Sequence, residues 1–228
     1  MKIFFRHYIF FLIIPLLSKP VNATVGSDSS RIVVAAGSMS FSEIRSLMDK
    51  HIDVVVNFTM SQADIQSLVS TDADHIFIDG RGFDYILLNS WLSAGASVIV
   101  DRSYSTFDLK SLTGMGGSKV YIFARGFEIF DIEAFMSNGA NIILDRGVSY
   151  SYLYSAISKY QNRVCIDTKG FSIPELNDFV NNGAGIWISN VLYLSDTHTF
   201  IMQAAKYGGN IFIDQKLSYF DIRVLLGQ

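Results

Sequence analysis

The chain has 228 residues, half of them apolar and 17% charged, with 17 glycines against three prolines. This bounds it to an ordered chain able to bury one sizeable core, and excludes intrinsic disorder. A single cysteine excludes a disulfide framework and a cysteine-based zinc cluster. His7, His51, His75 and His198 are scattered and show no metal-ligand spacing, and no cofactor motif is present.

The first segment carries a basic pair, Lys2 and Arg6, then an apolar run from Tyr8 to Leu17, then the small-residue site Val21-Asn22-Ala23. Residues 1–23 therefore read as a secretory signal peptide, and Pro15 with the short apolar run argues against a membrane span. The mature chain is expected to be exported, periplasmic or extracellular, and to form a single α/β repeat domain over residues 24–228. No second stretch of membrane length follows, so no integral span is expected in it. Removing Lys2, Arg6 and Lys19 leaves 15 basic against 21 acidic residues, a balance of −6. Such a balance excludes nucleic acid as an expected partner, because phosphate binding needs clustered cations.

Beyond the leader, short β-branched runs begin at Ile32, Val54, Ile76, Val98, Val120, Ile142, Val164, Ile186 and Ile211. Seven of the steps between them are 22 residues and the last is 25. Each run predicts a strand. Each is followed by a helix start: Ser40 to Glu43, Ser61 to Asp64, Ser105 to Asp108, Ser172 to Glu175 and Ser218 to Asp221 fit the capping-box pattern. An apolar residue precedes each cap (Met39, Met60, Phe83, Tyr104, Phe127, Val148, Phe171, Leu217), placed to staple onto the new helix. Gly95, Gly117, Gly139, Gly183 and Gly209 are expected helix stops. Through the first seven units the cap lies eight residues after the strand start in odd units and seven in even ones, a period of 44.

Nine strand–helix units with a polar residue after most strands (Asn57, Asp79, Asp101, Asp145, Asp167, Asp214) resemble the leucine-rich-repeat class of α/β solenoids. The resemblance covers the mature chain at the level of repeat design; the Leu-x-x-Leu-x-Leu-x-x-Asn consensus is not matched, and Ala35, Phe123 and Ser189 interrupt the polar ladder. It implies an open right-handed solenoid with one parallel sheet and a protein-binding role. The rival reading is a closed (β/α) barrel, favoured by strands apolar on both faces and by pairwise alternation of units. Nine units where such a barrel has eight, and uniformly short loops, argue for the solenoid.

Side-chain alternation sends the second residue of each strand to the face opposite the helices. In an open solenoid this column is an exposed apolar strip, and Phe77, Tyr121, Trp187 and Phe212 are its expected anchors for a protein partner or a second copy. In a barrel the same column is interior. The longer eighth unit, with Tyr193 and His198, predicts a surface binding loop capped near Thr197. The strand-end acids, each with a basic residue one or two positions on, read as acceptors of loop N–H groups; in a barrel they would be a hydrolase's carboxylates. The reading carried forward is a non-enzymatic exported interaction module, with a small (β/α)-barrel hydrolase as the alternative.

Overall fold

A computed structural model describes residues 31–37, 39–189, 194–214 and 219–225. The expected leader lies outside these residues. The strands are β1 (Ile32–Ala35), β2 (Asp53–Val56), β3 (Ile76–Asp79), β4 (Ser97–Val100), β5 (Val120–Phe123), β6 (Asn141–Leu144), β7 (Val164–Asp167), β8 (Gly185–Ile188) and β9 (Ile211–Ile213). They alternate with α1 (Phe41–Met48), α2 (Gln62–Asp72), α3 (Tyr85–Ser93), α4 (Thr106–Gly116), α5 (Ile129–Ser137), α6 (Tyr150–Tyr160), α7 (Ile173–Asn181), α8 (Leu194–Tyr207) and α9 (Tyr219–Leu225). Among the described residues no helix is long and apolar enough to cross a membrane.

The helix starts follow the serine caps. Ser40, Ser61 and Ser105 each accept the backbone N–H three residues on. Glu43 and Glu175 reach back to the backbone N–H of Ser40 and Ser172 at 2.8 and 2.6 Å. Asp64 and Asp108, one methylene shorter, take only the serine hydroxyl, at 2.7 Å each. The staple residues from Met39 to Phe171 pack against the core as expected, and Phe83, Phe127 and Phe171 meet Trp91, Phe135 and Phe179 edge to face. Leu217 and Ser218 lie outside the described residues. Gly95, Gly139 and Gly183 stop their helices with φ of 106°, 96° and 93°. After α8 the left-handed residue is Gly208, not the expected Gly209.

The open solenoid is wrong. The strands pair in parallel and in sequence order, and β9 pairs with β1 through Ile32–Ile211 and Phe212–Val33, so the sheet is a closed nine-stranded barrel. The register explains the closure. Between each odd strand and the next even one, pairing slips two residues against the 22-residue repeat; elsewhere run starts pair with run starts, across the 25-residue step to β9 as well. Four such slips displace the ladder by eight residues around the barrel, the stagger that tilts strands enough to close. The period of 44 in the sequence is the counterpart of this alternation. Nine strands are no obstacle, because closure requires only that strand number and stagger be mutually consistent.

Closure creates two cores. The outer one lies between sheet and helices and takes the first and third strand residues. The inner one fills the barrel with the second-residue column. Phe77, Tyr121, Trp187 and Phe212 are exposed by only 0, 3, 2 and 1%. Phe77, Tyr121 and Phe212 form an edge-to-face triad with centroids 5.1–5.4 Å apart. Trp187 stacks on Phe212. These four side chains cannot anchor a partner, because they are one another's partners. Burying each large apolar side chain is worth about 1.5–3 kcal/mol, and closing the sheet also removes both its edges. The interaction module built on that face is overturned with the solenoid.

The insertion in the eighth unit is also read differently by the structure. It is spent as helix: α8 starts at Leu194 and runs 14 residues, which puts Thr197 inside it and buried. His198 is exposed on that helix and Tyr193 lies outside the described residues.

Candidate functional site at the barrel mouth

The loops that follow the strands gather at one end of the barrel, where the strand-end acids meet the helix N-termini. Asp79, Asp101, Asp145 and Asp167 each accept a backbone N–H from two residues on, at 3.2, 2.9, 2.8 and 3.0 Å. Asn57 does the same for Thr59 at 3.0 Å. The structural role expected of this ladder is therefore correct: a short polar side chain satisfies the loop that turns from strand into helix. At the opposite end, basic residues before the odd strands cap helix carbonyls, Lys119 on Gly95 and Arg163 on Met136, at 2.5 and 2.8 Å.

A cavity of about 380 Å³ opens at the mouth. Its apolar wall is Phe123, Ile143 and Trp187, and the first and last are in edge-to-face contact at 5.0 Å. Asp101, Asp145, Asp167 and Asp214 line it together with Arg81, Arg102, Arg125 and Lys169, so acids and bases balance. Arg81 holds Asp79 by two N–H contacts of 2.8 and 2.6 Å and lies 5.3 Å over the Phe123 ring. Ser189 donates its hydroxyl to Asp167 Oδ1. Arg125 stands 3.9 Å from Asp145 and is largely in solvent.

One acid departs from the pattern. Burial against the barrel wall pushes the Asp214 carboxyl above the ordinary carboxylate value. Arg81 draws it down, Asp79 and Asp167 push it up, and a hydrogen bond from Trp187 lowers it. Asp214 is nevertheless exposed at the opening of the cavity, so its carboxyl is reachable from solvent. Groups whose environments separate them from their neighbours in this way are candidate acids and bases.

Of the expected partner anchors among the described residues, Trp187 alone reaches this site, as part of its wall; the strand-end acids Asp101, Asp145, Asp167 and Asp214, named as a hydrolase's carboxylates under the barrel reading, line it as well. Phe77, Tyr121 and Phe212 lie deeper in the barrel, and His198 is not among the lining residues. Phe123 and Ser189 went unrecognised as site residues. The available signal was that they interrupt the polar ladder: the cavity lies where the repeat is irregular. Among the described residues no group of three His, Cys, Asp or Glu is arranged to hold a metal ion.

These features define the molecule as a parallel (β/α) barrel with a polar cavity at the C-terminal ends of its strands. No family model matches the chain, and no curated protein matches it in sequence. Among solved structures it is similar to dihydropteroate synthase from Vibrio fischeri ES114 (11% identity, 88% of this chain and 93% of that one, TM-score 0.48). It is similar to dihydropteroate synthase from Xanthomonas albilineans (10% identity, 88% and 91%, TM-score 0.45). A third likeness is to tryptophan synthase from M. tuberculosis (12% identity, 88% and 91%, TM-score 0.44).

Proposed function

We propose that the protein is a small (β/α)-barrel hydrolase working by general acid–base catalysis at the mouth, on a neutral, hydroxyl-rich substrate of the glycoside class. The observation that carries this is the open cavity at the strand ends, where Asp214 and Asp167 stand together among Arg81, Phe123 and Trp187; burial, Asp79 and Asp167 raise the Asp214 carboxyl there. Acids and bases are interspersed around the lining with little net charge to select an ion, whereas carboxyl groups, guanidinium groups and aromatic walls suit hydroxyls. In this mechanism Asp214 donates its proton to the leaving oxygen as the bond from carbon to that oxygen breaks. Asp167, oriented by Ser189 and the backbone of Lys169, takes a proton from the attacking water. The two carboxyls then exchange the proton back through solvent.

The leader sequence supports action outside the cytoplasm, with a mature chain starting near Thr24. N-terminal sequencing of the protein recovered from its natural cell envelope or medium checks this. The hydrolase reading is tested with a panel of neutral chromogenic glycosides. The expected result is turnover that falls at least about 100-fold in Asp214→Asn, the scale of a lost general acid. No turnover on the panel, or full activity in Asp214→Asn, would reject it.

A further inference from the structure

At the end of the barrel opposite the mouth, His51 and His75 stand side by side. His51 Nδ1 lies 3.4 Å from His75 Nε2, and the ring centroids are 5.4 Å apart. Although distant in sequence, the two are brought together because the turn after α1 lies beside the 3₁₀ turn (Ala73–His75) that precedes β3. We propose that these histidines bind a divalent transition-metal ion such as Zn²⁺, a site separate from the mouth.

The repeat itself marks His51 as exceptional. Positions 51, 95, 139 and 183 are equivalent under the period of 44, and the last three are glycines with φ near +100°. His51 also has a positive φ, +57°, a conformation that disfavours a residue with a Cβ. Gln161 likewise holds a positive φ where its equivalent is Gly117, so the conformation alone does not set His51 apart; its meeting with a second imidazole does. His75 departs in parallel. Its equivalents are Lys119 and Arg163, which turn to helix-end carbonyls, whereas His75 turns to His51.

The hydrogen bonding then sets up the ligand atoms. His75 Nδ1 donates to Asp53 Oδ1 at 2.6 Å, which leaves the lone pair on Nε2 facing His51. A carboxylate behind a histidine is the usual support of a metal-bound imidazole, fixing its tautomer and raising its basicity. Two nitrogens each about 2.05 Å from a tetrahedral ion are about 3.3 Å apart; the observed 3.4 Å matches this and is long for a hydrogen bond. Asp72 Oδ2, 3.8 Å from His75 Nε2, adds negative charge beside the ion. Arg31 is occupied by both oxygens of Asp53 and by the Asp74 carbonyl. His51 is exposed, so water completes the coordination sphere. Imidazole donors suit Zn²⁺, Cu²⁺ and Ni²⁺.

The test is calorimetric titration of the untagged full-length chain with Zn²⁺ at neutral pH, with thermal melts of the same samples. One Zn²⁺ per chain and a raised Tm are expected. His51→Gly should bind at least about tenfold more weakly and, without metal, melt higher than the parent because glycine relieves the left-handed position. His75→Lys, which installs the residue of its equivalent position, should also lose the site and guards against a folding defect in the first variant. A parent chain that binds no Zn²⁺, or unchanged affinity in both variants, would overturn the proposal.

Discussion

Trp187 stacks on Phe212 inside the barrel, ring centroids 4.8 Å apart at 22°, and its indole lines the mouth cavity together with Asp214, whose carboxyl it holds down. One side chain thus joins the interior core to the acid of the mouth. Because the indole favours the ionised carboxylate, removing it raises the Asp214 pKa further. In Trp187→Phe the alkaline limb of the pH–rate profile, where a general acid loses its proton, is expected to move to higher pH. An unmoved limb would separate Asp214 from the titration that controls the rate.

Phe212 touches Phe77, Tyr121 and Trp187, so its loss opens the centre of the inner core. Phe212→Ala is expected to cost about 3–5 kcal/mol, the range for a large buried aromatic. Urea denaturation measures it. A near-neutral result would mean that the interior is not closed.

Asp214 also sets a pH dependence of stability. Its carboxyl is raised in the folded protein from an ordinary value of 3.8. The folded state then holds a proton that the unfolded chain has released. Stability is lost as pH rises from the unfolded value through the folded one, and the loss persists at neutral pH. Asp214→Asn should therefore melt higher than the parent at neutral pH. The advantage should vanish in acid below the unfolded value. A variant that is more stable and inactive is the pattern expected of a strained catalytic group.

At the other end, Asp53 is buried and accepts Arg31 Nε and Nη2 at 2.5 and 2.9 Å and His75 Nδ1 at 2.6 Å. Asp53→Ala removes the shared carboxylate from both partners, leaving Arg31 with the Asp74 carbonyl. Arg31 retains a third of its side-chain surface in solvent, so the expected loss is about 2–3 kcal/mol, below that of a fully buried pair. Chemical denaturation checks it; a change under about 0.5 kcal/mol would assign the cluster no stabilising role.

The comparison of sequence and structure turns on particular residues. Ser40, Ser61 and Ser105 announced their helices because capping is local, satisfied within four residues. The column from Val33 to Phe212 was legible as one face of a sheet, since alternation is also local. Whether that face met solvent or itself was not. The decision rests on a register slip of two residues at every second strand, and on β1 finding β9 across nearly the whole described chain. No window of sequence contains both partners.

The site divides in the same way. The acid ladder and its loop-capping role could be read from spacing alone. Asp214 could not be distinguished from Asp79 or Asp167, because its departure comes from burial and from two acids brought in from other strands, against the opposing pull of Arg81 and Trp187. His51 and His75 looked scattered because their proximity depends on the packing of successive repeats. The amino-acid order by itself determined the strands, helices, caps and two-unit rhythm, all set by interactions within one repeat. Only the tertiary structure decided closure, the buried fate of the aromatic column and the position of the mouth, because these depend on the summed register of nine strands returning to the first.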